Sequence, residues 1–268
     1  MRPPSLTNKS WLALVIGNSR WHWAGFRGNN LEDAWETGHL EKEAIEGLIA
    51  GGFDFKVWGD KGWKQPNWQT GSGNPPVWIA CVVPKQQELW QSYPQAHFIT
   101  LEEIPLRGTY PSLGIDRALA LWGAGTQLGW PVLVIDAGTA LTFTGGEHEG
   151  KLVGGAILPG LGLQLRSLQQ GTAALPLVEV SLAASPPVRW ALNTENAILS
   201  GVIYTLLAGI RDFIAAWWQK FPESAITLTG GDRVFLFNYL QALYPEIAAR
   251  VTSDPYLIFW GMRALLSK

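Results

Sequence analysis

A strand that runs into a tight glycine turn and leaves again as a second strand occurs twice in this chain, 121 positions apart, and that recurrence limits the folds open to it. The clearer copy is Leu133 to Phe143, where a β-branched apolar run enters Asp136-Ala137-Gly138-Thr139 and continues as Leu141 and Phe143 alternating with Thr142 and Thr144. The earlier copy is Trp11 to Ile16, then Gly17-Asn18-Ser19, then Trp21, Trp23 and Phe26 at roughly period-two spacing. Aligning Gly17 with Gly138 sets Val15 opposite Asp136, Asn18 opposite Thr139 and Ser19 opposite Ala140, a weak internal repeat of two similar halves. Two such hairpins facing each other across a cleft present backbone N–H groups and short polar side chains to one phosphate chain. Read alone, the second copy is equally a hairpin whose Asp and Thr make local turn hydrogen bonds.

Between and beyond the hairpins the pattern is α/β. An amphipathic helix is predicted over Leu40 to Ala50, ended by Gly51-Gly52, with strand character over Phe53 to Trp58. Residues Lys61 to Pro76, rich in Gly, Pro, Gln and Asn, read as an exposed loop, followed by a buried strand over Val77 to Val83, a helix over Gln86 to Ser92 and a strand over Ala96 to Thr100. A helix opens at about Arg117 and runs to Leu128, and a helical segment over Leu161 to Gln170 is stopped by Gly171. A long apolar helix spans about Glu195 to Lys220, with Ile198, Val202, Leu206, Ile210 and Phe213 on one stripe and a dimer interface as one use for it. Ile226 to Leu228 then feeds Thr229-Gly230-Gly231-Asp232, and the chain ends in a helix through Leu257, Trp260 and Ala264. No long linker divides the halves, so they are expected to pack as one body, with domains at 11–115 and 116–268.

Charge excludes several functions. A net charge of −2, a pI near 6.1 and no Lys or Arg run give no field for nucleic acid or an anionic membrane, so any phosphate recognition is local. The single Cys81 excludes an intramolecular disulfide framework and a multi-cysteine zinc site, and points to a reducing compartment, the cytoplasm. The apolar run Trp11 to Ile16 is too short for a signal core, and no segment reads as an uninterrupted membrane span. Fifteen tryptophans, most before residue 131, are expected to be mainly core.

Four places carry candidate chemistry. Gly138 and Thr139, like Gly17, Asn18 and Ser19, suit a polyphosphate, and Asp136 supplies a charge where its strand gives out. Asp116 lies in or just before the first turn of its helix beside Arg117; it is either an ordinary N-terminal acid or a general base next to an anion-binding guanidinium. Gly154-Gly155, ahead of Pro159-Gly160, and Gly230-Gly231 permit close approach of a nucleotide. Thr194 is either an N-cap or a substrate contact.

Together, Ile16-Gly17-Asn18-Ser19, Gly114-Ile115-Asp116-Arg117, Asp136-Ala137-Gly138-Thr139-Ala140, Gly154-Gly155 through Pro159-Gly160, Asn193-Thr194 and Thr229-Gly230-Gly231-Asp232 resemble the type III pantothenate kinases. The resemblance runs from about Trp11 to the last helix. It implies an α/β fold of duplicated ribonuclease H-like (actin-like ATPase) domains with mixed central sheets and an inter-domain cleft. It also implies ATP-dependent phosphorylation of pantothenate to 4′-phosphopantothenate, the first step of coenzyme A biosynthesis, by a cytoplasmic homodimer using Mg²⁺ and a monovalent cation, K⁺ or NH₄⁺. On that resemblance Asp116 is the base, and Tyr110, Gly114, Ile115, Asp116, Arg117 and Thr194 bind pantothenate. Asp136 binds the cation, while Gly17, Asn18, Ser19, Gly138, Thr139, Gly154, Gly155, Gly230 and Gly231 surround ATP.

The chain departs from the family at Val15, where the resemblance calls for Asp. Losing one charged partner at a transition state costs about 3 kcal/mol, roughly a hundredfold in rate, unless another group stands in. A rival reading is therefore an impaired homologue that binds nucleotide or pantothenate as a regulator, against which stand Asp116, Arg117 and Asp136. A sugar or acyl-phosphate kinase is disfavoured by Tyr110, Thr194 and the Gly114 to Arg117 segment.

Overall fold

A computed structural model describes residues 9–55, 58, 65–70, 73–180 and 185–267. The chain divides into two compact units: residues 1–105, 110–123 and 258–268 form the first, and residues 106–109 and 124–257 the second.

The first unit is built on strands β1 (Ser10–Ile16), β2 (Trp21–Arg27), β3 (Asn30–Thr37), β4 (Val77–Cys81) and β5 (Ala96–Phe98), with helices α1 (Lys42–Ala50) and α2 (Pro84–Gln87). Its sheet order is β3-β2-β1-β4-β5: the first three strands are an antiparallel meander, and β4 and β5 extend it in parallel. Helix α3 (Ile115–Leu128) follows.

The second unit repeats this order. Strands β6 (Val132–Ala137), β7 (Ala140–Glu147) and β8 (Lys151–Pro159) form the meander, succeeded by helices α4 (Leu161–Gly171) and α5 (Thr194–Lys220). Strand β9 (Ala225–Thr229), helices α6 (Arg233–Leu243) and α7 (Pro245–Ala248), strand β10 (Val251–Ser253) and helix α8 (Leu257–Leu266) complete it in sequence. Its order, β8-β7-β6-β9-β10, has the same three antiparallel and two parallel strands. Each half is thus a βββαβαβα unit, and β1 corresponds to β6. Most of α8 belongs with the first unit, where Gly261 lets it close on α3: a Cβ there would lie 2.1 Å from the Leu119 carbonyl oxygen.

Alternation in β1 explains the first core. Leu12, Leu14 and Ile16 face a cluster with Trp21, Trp23, Trp35, Phe55, Trp58, Trp68 and Trp90. Gly25 leaves the space that Trp68 fills, since a Cβ would stand 2.1 Å from the indole. Trp68 is accordingly buried, so the segment before β4 is not wholly the exposed loop its composition suggests; residues 61–64 and 71–72 of that segment lie outside the described residues. The strand expected over Phe53 to Trp58 is also absent among the described residues. Phe53 closes α1 with φ +61°, and Phe55 and Trp58 lie in 3-10 geometry, their rings 4.5 Å apart in the core, while residues 56 and 57 lie outside the described set. Aromatic β-propensity is overridden here by burial. The helix predicted over Gln86 to Ser92 starts earlier, at Pro84, whose fixed φ suits a first helical position, and tightens into a 3-10 turn at Glu88–Trp90.

In the second unit α5 is long and apolar enough to cross a membrane by length and composition. Its stripe is core instead: Ile198, Val202, Leu206 and Ile210 are buried with Ile214 and Trp217 against β6, β7 and β9. Phe213 departs from the stripe, 41 % exposed and stacked on Phe143 at 4.2 Å.

Candidate active site

In the first unit, the Tyr110 carbonyl accepts the Leu113 N–H at 3.0 Å, and the resulting turn delivers the chain to α3 at Gly114. Asp116, second residue of that helix, accepts the Arg117 N–H at 2.8 Å through Oδ1. A Cβ on Gly114 would stand 2.5 Å from the same carboxylate oxygen, so glycine there leaves Asp116 free to keep this rotamer. Arg117 is buried apart from 7 % of its surface, and its guanidinium donates to the Tyr110 hydroxyl at 3.1 Å. A carboxylate held at a helix N-terminus, where the peptide dipoles favour its charge, stands beside a buried cation and a phenol. Tyr110, Gly114, Asp116 and Arg117 are brought together at the start of α3, where Ile115 is the first helical residue.

The first hairpin turns through Gly17 to Arg20, with the Gly17 N–H donating to the Arg20 carbonyl at 3.0 Å. Asn18 and Ser19 are exposed at its tip, and His39 Nε2 lies 3.0 Å from the Gly17 oxygen.

In the second unit the hairpin is tighter. Ala137 pairs with Leu141, whereas Ile16 pairs with Trp21, so this turn is one residue shorter than its counterpart. Two other glycines close on it. Gly160, the residue before α4, donates to the Thr139 carbonyl at 2.9 Å, and a Cβ on it would lie 2.1 Å from the Gly138 oxygen. Gly230, with φ +89°, leaves no room for a Cβ, which would fall 2.4 Å from Asp136 Oδ1 and 2.5 Å from the Ala137 carbonyl. The Asp232 N–H then donates to Ala137 at 2.8 Å. Three chain segments thus meet as bare backbone around Asp136, with Gly231 open beside them. Such a surface lets a ligand approach the main chain closely.

A cavity of about 310 Å³ adjoins it, lined by Leu161, Arg166, Val178, Asp232 and Phe235 among others. Burial pushes the Asp232 carboxyl up, and Arg166 opposes the shift. Among the described residues no group of three His, Cys, Asp or Glu side chains assembles.

Gly154 and Gly155 are not at this turn. They lie inside β8, Gly154 opposite Gly145 and Gly155 opposite Thr144, five and four residues before Pro159. At about 3.3 Å per residue that is some 15 Å along the strand. The pair marks a β-bulge, where Val153 has no opposite residue and Gly154 takes φ +141°. Gly160 and Asp232, within the motifs but not singled out from sequence, reach the turn together with Gly230. Their only signal was position, immediately before a helix.

Asn193 caps α5, its Oδ1 accepting the Asn196 N–H at 2.9 Å, so Thr194 is not the N-cap. The planar amide reaches the third N–H of the helix, and this leaves Thr194 at the first helical position with its hydroxyl exposed.

Comparison with known proteins gives the family. A family model described as type III pantothenate kinase matches residues 11–216. A type III pantothenate kinase of Nostoc sp. is 53 % identical over 262 residues, covering 96 % of this chain and 94 % of the relative. One of Synechocystis sp. is 44 % identical over 257 residues, covering 96 % and 90 %. Among solved structures, a Campylobacter jejuni protein described as a Baf family transcriptional activator superposes with a TM-score of 0.61 at 21 % identity, covering 95 % and 96 %, a likeness of fold alone. Two five-stranded sheets, each of three antiparallel and two parallel strands, make up the fold so compared. With nearly its whole length matched by such relatives and both hairpins in place, the chain belongs to the type III pantothenate kinase family.

Proposed function

We propose that this chain carries out the reaction of its family, ATP-dependent phosphorylation of pantothenate, with Asp116 as the base and the Gly138–Thr139 turn as the holder of the phosphates. The observation that carries the reading is the closing of Gly160 and Gly230 on that turn, where no side chain fits. Asp116 accepts the proton of the pantothenate primary alcohol late in transfer, when the attacking oxygen has become acidic. Arg117 and Tyr110 orient the substrate, and the exposed Thr194 hydroxyl adds a hydrogen bond to it. Gly17, Asn18, Ser19, Gly138, Thr139, Gly230 and Gly231 contact ATP, and we keep Gly154 and Gly155 as more distant members of that set. Asp136 holds the cation: a carboxylate aimed at a triphosphate repels it unless positive charge stands between them. Mg²⁺ with K⁺ or NH₄⁺ supplies that charge when bound. Positioning and neutralisation then account for most of the catalysis.

We also infer a cytoplasmic homodimer. Support for the dimer comes from Val188, Trp190 and Leu192, exposed by 65, 87 and 103 % in the segment that enters α5. The test of the whole reading is ADP release with and without pantothenate, with and without K⁺ or NH₄⁺, on wild type, Asp116→Asn and Asp136→Asn. Pantothenate-dependent turnover should fall by about a hundredfold or more in Asp116→Asn. Asp136→Asn should raise KM for ATP more than KM for pantothenate. Undiminished turnover in Asp116→Asn removes the base assignment.

A further inference from the structure

The duplicated sheets allow a residue-by-residue comparison of their first hairpins. In the second unit the row across the meander at the turn is Asp136, Thr142, Ile157. The corresponding row in the first unit is Val15, His22, Glu36, since Val15 pairs with His22 and His22 with Glu36. Directly paired residues of antiparallel strands project to the same face. Val15 is buried, 3 % exposed, and can offer a ligand nothing but a methyl surface. Its two neighbours in the row are polar and paired with each other. His22 Nδ1 lies 3.1 Å from Glu36 Oε1, and the other carboxylate oxygen of Glu36 accepts from Arg20 Nη1 at 3.1 Å. With Nδ1 committed to Glu36, Nε2 points the other way, and it lies 4.0 Å from the position a Cβ on Gly17 would take. The imidazole therefore reaches the backbone of the turn, with its ring oriented by the carboxylate at Nδ1. Glu36 itself is held ionised, its pKa lowered to about 2, first by the hydrogen bond to His22.

We propose that His22 is a phosphate-binding residue of the first hairpin, oriented by Glu36 as a positioning residue, and that this pair does with a cation what a carboxylate plus a bound metal ion does at the second hairpin. The inference rests on the reading that Gly17 to Ser19 lie against the ATP phosphates. A carboxylate at position 15 requires a bound cation before it tolerates a triphosphate. Val15 removes that requirement, and an imidazolium donates its Nε2–H to a phosphate oxygen directly. The two hairpins then differ in kind: the second meets the phosphates through a cation on Asp136, the first through a side chain of the protein.

The experiment measures steady-state KM for ATP and for pantothenate, and the Kd of inorganic tripolyphosphate by calorimetry, on wild type, His22→Gln, His22→Lys and Glu36→Gln, with thermal midpoints as a control for folding. His22→Gln should raise KM for ATP and the tripolyphosphate Kd by about tenfold while leaving KM for pantothenate unchanged. His22→Lys, which keeps the charge, should restore most of that affinity. Glu36→Gln should give a smaller change of about threefold in the same two constants. Equal tripolyphosphate affinity in wild type, His22→Gln and His22→Lys overturns the proposal, as does an equal rise in both KM values. Should wild type show no pantothenate-dependent ADP release, the kinase reading fails, and the tripolyphosphate series still decides whether His22 binds phosphate.

Discussion

Replacing Gly230 by Ala tests the second hairpin where its packing is tightest. The new Cβ would fall 2.4 Å from Asp136 Oδ1 and 2.5 Å from both the carbon and the oxygen of the Ala137 carbonyl, about 1 Å inside ordinary contact. The Asp136 carboxylate can rotate away. The Ala137 peptide cannot, because β6 is paired on both sides, to β7 and β9, and its oxygen accepts the Asp232 N–H. Overpacking against a fixed backbone costs about 1–3 kcal/mol, and an alanine at φ +89° adds about 1 kcal/mol. The sum, about 3 kcal/mol, corresponds to a fall in Tm of about 8 °C for a chain of this size. The expected kinetic signature is a rise of about tenfold or more in KM for ATP, worse at low K⁺, with KM for pantothenate little changed. Thermal denaturation followed by circular dichroism and a K⁺ titration of the ATP dependence measure both. A Tm within about 2 °C of wild type together with an unaltered ATP dependence would refute the argument, since it would mean that the turn yields freely and that Asp136 is not held in place by Gly230.

Two further outcomes follow from features described above. Asn193→Ala removes the cap of α5 and should lower stability by about 1 kcal/mol, seen as a fall of a few degrees in Tm, whereas Thr194→Val should leave Tm unchanged and raise KM for pantothenate. A pKa of about 2 for Glu36, against an ordinary 4.5, means the folded state is stabilised above the unfolded pKa and loses that contribution as pH falls from about 4.5 to 2. The side chain is 46 % exposed, so solvent screening reduces the contribution to about 1 kcal/mol. Acid unfolding of Glu36→Gln should accordingly show a flatter stability profile than wild type across that window.

The duplicated hairpins were legible because two signals coincided, an alternating apolar strand and a glycine at the same place in each copy. The segment from Tyr110 to Arg117 was legible for a related reason, as turn residues, glycine and charge are compressed into one helix start. What escaped was decided at a distance along the chain. Gly154 and Gly155 look like a turn in sequence, yet they occupy a bulged strand opposite Gly145, whose own missing Cβ makes room for Trp217 at 2.4 Å. Gly160 looks no different from its neighbours until the Gly138 carbonyl is placed beside it. The strand expected over Phe53 to Trp58 failed because aromatic residues satisfy a strand pattern and a core equally well, and only the rings of Trp23, Trp35 and Trp68 around Phe55 choose between them. The choice of Asn193 over Thr194 as cap rests on one torsion, the extended φ of −143° at Asn193, which composition does not encode.

The tryptophan cluster of the first unit gives the protein a built-in optical label. Trp21 and Trp23 lie 5.9 Å apart at 48°, Trp23 and Trp58 5.7 Å apart at 61°, and Trp23 and Trp90 5.8 Å apart at 61°. Indole transitions at such separations and tilts mix, so their near-ultraviolet circular dichroism arises from the group rather than from single rings. Peptide ellipticity, by contrast, is weighted toward helix, and the 27 residues of α5 lie in the second unit. Melting followed at the two wavelengths is therefore weighted toward different units, and a ligand that protects one signal more than the other points to the unit it stabilises.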